Sequence, residues 1–238
     1  MNGPLRQIPL DIRLREDNGF ETFLAGDNAL ALAAVRGQAE GEGERQLLLW
    51  GAADTGKTHL LQAACHQQAR RGAPVVYLPM AELVDADPEL LQGLEGLPLV
   101  CLDDLQALVG HAAWEEALFH LVNRLRDTGG RLLMATRDNP RHAGWRLPDL
   151  RSRLHWGPVF RLQPLDDEGR LEAMRLHARQ RGMHIPDEVA RYLLRQFPRD
   201  LSALMDLLER IDRHSLATQR RITVPLVREV LRSGLDRL

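Results

Sequence analysis

The sequence predicts an α/β fold: a mostly parallel, phosphate-loop-bearing sheet flanked by helices on both faces, followed by a small all-α lid domain. Two observations carry that expectation. Short apolar runs of strand length alternate with helix-length stretches as far as residue 162, the pattern of a parallel sheet covered on both faces. After Pro164 the apolar residues recur only at helical spacing. A third observation gives the frame its chemistry. "GAADTGKT", Gly51 to Thr58, fits the phosphate-loop pattern G-x-x-x-x-G-K-[ST], and it falls between a predicted strand and a predicted helix.

The elements follow in order. The head, residues 1–19, contains "QIPLDI", Gln7 to Ile12, whose alternating aliphatics also suit an edge strand. In "FETFLAGDNALALAAVRGQ" a turn at Gly26-Asp27-Asn28 precedes an apolar helical run from Ala29, and "GEGE", Gly41 to Glu44, is a polar linker. "RQLLLW", Arg45 to Trp50, is the first strand. From Thr58 to Arg71 the spacing of Leu60, Leu61, Ala64 and Cys65 predicts a helix, stopped by Gly72. "PVVYL" (74–78) and "LPLVCLDDL" (97–105) read as two further buried strands. The stripe Trp114, Leu118, Leu121, Val122 and Leu125 makes a helix that ends at Gly129-Gly130, and "RLLMAT" and "PVFRL" (158–162) complete the strands. Helices are expected at roughly 166–181, 187–196, 200–215 and 224–234, with Pro186 and Pro225 in first turns where a missing N–H costs nothing. The expected organisation is a tail (1–19), a nucleotide-binding α/β domain (20–163) and a helical lid (164–238).

Composition narrows the function. A chain of 238 residues with 44% hydrophobic content can bury one large core plus a small appended domain. No stretch approaches the ~20 apolar residues of a membrane helix, and the N-terminus lacks a signal-peptide pattern, so a cytoplasmic protein without a membrane partner is expected. Cys65 and Cys101 sit in apolar contexts without paired spacing and read as core residues, not as a disulfide or a zinc site. The nine histidines lack ligand spacing and read as surface or core. The net charge of -2 gives no global reason to expect nucleic acid. Locally, Arg137, Arg141, Arg146, Arg151, Arg153 and Arg161 face only Asp138 and Asp149 over 137–161, which suits either a weak DNA contact or a rim facing a partner.

The phosphate loop supplies the first group of candidate residues. Gly51, Asp54, Thr55, Gly56, Lys57, Thr58 and His59 are expected to surround the phosphates of ADP or ATP, the backbone N–H groups cradling the oxygens at a helix N-terminus. Lys57 would reach the β and γ oxygens, and Thr58 would hold Mg2+ through its hydroxyl. Of 31 basic residues, 30 are arginine and the remaining one is Lys57. A compact ammonium is kept where a planar guanidinium fits less well. "LVCLDD" supplies the second group: Asp103 is expected in the magnesium shell, and Asp104 stands where a hydrolytic enzyme places a glutamate to polarise water. Aspartate is one methylene shorter, and errors of about 1 Å can cost about 100-fold in rate. An N-cap at a strand-to-helix turn is the alternative for both aspartates.

The order of "FETFLAGDN", "WGAADTGKTHLLQAAC", "LVCLDDL", "MATRDNP", "LPDLRSRLHWG" and "FPRDLSALMDLLERI" resembles the AAA+ family and, within it, the replication initiators of the DnaA type. "LPDLRSRLHWGPVFRLQPL", the final "TVPLVREVL" and a chain that stops after the lid, without a helix-turn-helix domain, resemble the regulatory branch that inactivates DnaA. The resemblance implies roles. Arg153 matches an arginine finger that enters a neighbouring subunit's nucleotide, and Arg199 matches the sensor-2 arginine of the lid. Thr136 or Arg137 occupies the sensor-1 region, where the sequence departs from the usual Asp- or Ser-bearing pattern. Without its motif, any one of 30 arginines reads as a solvated charge. The family further implies a regulatory adaptor with slow turnover of its own, an ADP-bound working form, self-association into a homo-oligomer, and two partners: DnaA and the DNA-loaded sliding clamp of DNA polymerase III. "QIPLDI" then resembles a clamp-binding peptide through Gln7, Ile8 and Leu10, with Asp11 where many such peptides carry a second hydrophobe. Two other readings stand beside this one: an autonomous ATPase or DNA-loading factor with Asp104 as base, and a small-molecule kinase, which the helical lid disfavours.

Overall fold

The computed structural model describes residues 14–15, 17–196 and 201–235. Five parallel strands form one sheet in the order β2-β3-β4-β1-β5: β1 (Gln46–Trp50), β2 (Val75–Pro79), β3 (Leu99–Asp103), β4 (Arg131–Thr136) and β5 (Val159–Arg161). Each strand is where an apolar run predicts it. The runs are nearly continuous, not alternating, because both faces are covered; every residue of β3 is buried.

Alternation of side chains along a strand divides the core in two. Leu47, Leu49, Leu99, Cys101, Leu133 and Ala135 point to the face covered by α1 (Ala29–Ala39) and α2 (Lys57–Arg70). Leu48, Val100, Leu102, Leu132 and Met134 point to the other face, under α4 (Ala112–Thr128) with α3 (Met80–Leu83) and α5 (Pro148–Leu154) at its margins. Each fully buried leucine stabilises the fold by about 1.5–3 kcal/mol relative to exposure, so the two clusters hold the sheet from both sides. Cys65 of α2 and Cys101 of β3 are free thiols in the first cluster. Burial, and then the neighbouring Cys65, push the Cys101 thiol well above its ordinary pKa.

Beyond β5, α6 (Asp167–Gln180), α7 (Asp187–Gln196), α8 (Leu201–Thr218) and α9 (Val224–Leu235) enclose a core of their own around Met174, Val189, Leu193, Leu204, Leu208, Ile211 and Val227. The four helices match the sequence pattern, except that α8 runs on to Thr218. Asp166 starts α6 by accepting the Gly169 N–H at 2.8 Å, a cap worth about 1 kcal/mol. Two helices were not legible in the sequence: α3, of four residues, and α5, where Pro148 opens a seven-residue helix with only Leu150 and Leu154 buried.

Because the sheet is parallel, the C-terminal ends of its strands share one edge. The register Trp50 opposite Thr136 and Leu102 opposite Met134 brings the loops after β1, β3 and β4 together there. That edge is where open α/β sheets take ligands.

Candidate nucleotide site

The loop after β1 needs glycine twice. At Gly51 a Cβ would stand 2.7 Å from the Leu162 carbonyl oxygen, and at Gly56, with φ +89°, it would stand 2.6 Å from the Phe23 ring. Only a residue without a side chain permits both the left-handed turn and the close approach. Gly56 then forms the N-cap of α2, so the helix begins on the loop itself. Thr55 Oγ1 donates to the Ala52 carbonyl at 3.0 Å. Lys57 is buried, and its Nζ donates to the Gly51 and Ala52 carbonyls at 2.7 and 2.6 Å. Burial lowers the Lys57 pKa, while Asp103 and Asp104 act to raise it.

α2 packs on the face of β3 that carries Cys101 and therefore, two residues on, Asp103. Asp103 thus arrives close enough to Thr58 for that hydroxyl to act on its carboxylate. Its carboxylate is 1% exposed and accepts the Tyr77 hydroxyl at 2.9 Å and the Asp104 N–H at 2.9 Å. Burial raises the Asp103 pKa, and the nearby Thr58 hydroxyl and the hydrogen bond from Tyr77 oppose the rise. Among the described residues no cluster of three or more His, Cys, Asp or Glu could hold a metal. The oxygens of Thr58 and Asp103 suit one hard cation whose other ligands are phosphate and water, as magnesium prefers.

Asp104 adopts a left-handed conformation, φ 55°, at the start of the short turn Leu105–Leu108, and its side chain makes no capping hydrogen bond. Its Oδ1 accepts the Gln106 Nε2 at 2.7 Å instead. Gln106 Oε1 accepts the Arg137 N–H at 2.9 Å and the Thr136 hydroxyl at 3.3 Å. The candidate base and the sensor-1 region are therefore joined through one amide.

A cleft of about 250 Å³ opens above the loop, lined by Asp54, Gly56, Lys57, Thr58 and His59 on the sheet side. Arg15 and Asn18 close it on the N-terminal side, and His177, Leu201 and Met205 close it on the side of the helical bundle. His59 Nε2 lies 2.8 Å from the Gly19 carbonyl, so this nitrogen carries the proton. Its ring meets that of His177 edge to face at 5.6 Å. The seam is fastened by Arg15 to Asp206 at 2.8 Å and by an Arg181–Asp17 ion pair. His59 and His177 are therefore part of the cleft and not merely core or surface. Tyr77, Gln106, Arg15 and His177 carry no motif in the sequence; Tyr77 is marked only as the polar ring inside the apolar run "VVYLP".

Arg153 stands elsewhere. The side chain of Gln46, the first residue of β1, donates to the Arg153 carbonyl at 2.7 Å, whereas the phosphate loop follows the last residue of β1. A five-residue strand separates these ends by roughly 13 Å, before the loop itself is counted. Nor do the arginines of 137–161 form one unit: Arg161 stacks over Trp50 at the loop end of β1, 5.2 Å from its ring centre, and Arg153 lies at the opposite end. Arg199, Gln7, Ile8 and Leu10 lie outside the described residues, as does the edge-strand alternative for "QIPLDI". Among the described residues no helix is long and apolar enough to cross a membrane.

The family model for the bacterial DnaA ATPase domain matches residues 14–161, and that for the Hda lid domain matches residues 167–231. Domain III of the Thermotoga maritima replication initiation protein DnaA superposes with a TM-score of 0.77 over 93% of this chain and 98% of that one, at 23% identity, a likeness of fold. The replication initiator DnaA bound to AMPPCP and single-stranded DNA gives 0.67 at 26% identity, over 82% of this chain and 66% of that one. AMPPCP-bound DnaA from Aquifex aeolicus gives 0.63 at 28%, over 76% and 61%. The chain thus spans just under two thirds of these two longer proteins.

Proposed function

The chain belongs to the bacterial DnaA ATPase family and is an Hda-like, DnaA-related AAA+ protein, and we propose that it acts as a nucleotide-bound regulatory adaptor. In this reading it works with the DNA-loaded sliding clamp to stimulate hydrolysis of DnaA-bound ATP, and so represses re-initiation of replication. The observation that supports it is the separation of Arg153 from the phosphate loop of its own chain. A cation at the far end of the sheet serves a nucleotide on a neighbour. An arginine supplied in trans can contribute about 10³ to 10⁵ in rate.

Within the chain, Lys57, Thr58 and Asp103 would hold ADP or ATP with Mg2+, in keeping with the AMPPCP bound by two DnaA relatives. The ion supplies neutralisation of the phosphate charge. Lys57 would exchange its two loop carbonyls for phosphate oxygens, and Tyr77 would hold Asp103 in place from behind. Asp104 is engaged by Gln106, which favours slow turnover of the chain's own ATP. Arg199 would let the lid sense the phosphates, and Gln7, Ile8 and Leu10 would dock on the clamp. Self-association into a homo-oligomer belongs to the same reading, and any DNA contact through the arginines of 137–161 would be weak.

The test compares phosphate release from DnaA-bound ATP, with clamp on DNA, with and without the protein. Little release by the protein alone and a marked rise in the complete mixture are expected. Fast turnover by the protein alone would favour the autonomous ATPase with Asp104 as base. For the tail, clamp capture by the full chain should be lost in the double variant Gln7→Ala plus Leu10→Ala, and equal capture would return the segment to the edge-strand reading.

A further inference from the structure

Trp156 stands between α5 and β5, and 36% of its surface is exposed. Two guanidinium groups share its ring: Arg126 from α4 and Arg153 from α5, each with its central carbon 4.0 Å from the ring centre. Phe119, also on α4, adds a second aromatic face to Arg153 at 5.7 Å. Arg153 Nε is buried and has no hydrogen-bond partner, and among the described residues neither arginine is paired with a carboxylate. Beside them opens a cleft of about 620 Å³, with Arg45 and Glu44 on its wall.

The holder matters chemically. A carboxylate partner would neutralise Arg153 and compete with any incoming anion. An aromatic face attracts the guanidinium while leaving its charge and its N–H donors in place. A stacked arginine also has less side-chain freedom to lose when it meets phosphate than one that swings in solvent. Gly157 keeps the ring where it is: a Cβ there would fall 1.9 Å from the Gln46 carbonyl oxygen, so the segment after Trp156 lies directly against the start of β1.

We propose that Trp156 is a positioning residue, whose indole holds Arg153 ordered and un-neutralised for the polyphosphate of a nucleotide on a neighbouring AAA+ subunit. This rests on the trans-acting reading of Arg153 above. The experiment measures stimulated hydrolysis of DnaA-bound ATP, with clamp on DNA, by the full chain and its Trp156→Leu, Trp156→Phe and Arg153→Ala variants. Trp156→Leu keeps apolar bulk without a π face, and it should lower the maximal rate by at least about tenfold with the half-saturating concentration of the protein unchanged within about twofold. Trp156→Phe should restore most of the rate. The emission of Trp156, taken as the difference between the wild-type and Trp156→Phe spectra, should shift on Arg153→Ala. Equal rates for the Leu and Phe variants, both folded, reduce Trp156 to packing and overturn the inference, as does a Trp156→Leu variant at the wild-type rate while Arg153→Ala is inactive. Arg153→Ala at the wild-type rate overturns the trans-acting reading, and this inference with it.

Discussion

Lys57 is the single lysine of the chain, and it is buried with both of its strong hydrogen bonds made to carbonyls of its own loop. A hydrogen bond to a charged group contributes about 1.5–3 kcal/mol, so Lys57→Ala should weaken ADP and ATP binding by about 10- to 100-fold, measurable by calorimetric titration. Tyr77→Phe removes a donor that holds the Asp103 pKa down against its burial. Nucleotide affinity should fall several-fold in the presence of magnesium and change little in EDTA. His59 carries a pH prediction. Burial, with some contribution from His177 and His66, lowers its pKa to about 4 from an ordinary 6.5. Between these values the unfolded chain binds a proton that the folded chain does not, so stability is fully present above pH 6.5 and is lost as the pH falls toward 4. At roughly 1.4 kcal/mol per pH unit, a drop of a few kcal/mol is expected at the acidic end. Denaturation midpoints at pH 7 and pH 5 check this: the fall should be smaller in His59→Gln, and an identical fall would remove His59 from the account.

At the scale of elements, the position of α5 depends on a residue outside it. Glu115 of α4 is 1% exposed, and its two oxygens accept the Gly110 N–H at 2.8 Å and the Leu147 N–H at 2.9 Å. Leu147 is the N-cap of α5, so this carboxylate fixes where the helix bearing Arg153 begins. A glutamine offers one acceptor oxygen in place of two, and Glu115→Gln should cost about 1–3 kcal/mol for the N–H left unpaired, read by urea denaturation; an unchanged midpoint would contradict the tether. The strands were legible because each is an unbroken apolar run between turn residues. α5 was not, because two buried leucines in a seven-residue, arginine-bearing segment give no period to follow. The candidate site divides in the same way. Lys57, Thr58 and Asp103 belong to local patterns that a sequence displays. Tyr77 reaches Asp103 across 26 residues and Gln106 reaches Thr136 across 30, contacts made only by the parallel register. His177 comes to His59 from the helical bundle, which no local pattern anticipates.

The whole molecule places two kinds of chemistry at opposite ends of one sheet. The phosphate loop, the two aspartates and the seam with the helical bundle gather at the C-terminal edge, and Arg153 lies beside the entrance of β1. One chain cannot bring these together on one nucleotide, whereas two chains packed edge to end can. The proposed adaptor role requires that arrangement. The most direct measurement is the rate of hydrolysis of DnaA-bound ATP, with clamp-loaded DNA, after adding wild-type protein or an Arg153→Ala variant whose own nucleotide binding is intact. The account predicts strong stimulation by the wild type and a loss of about 10³-fold or more of the finger's contribution in the variant; equal stimulation by both would contradict it.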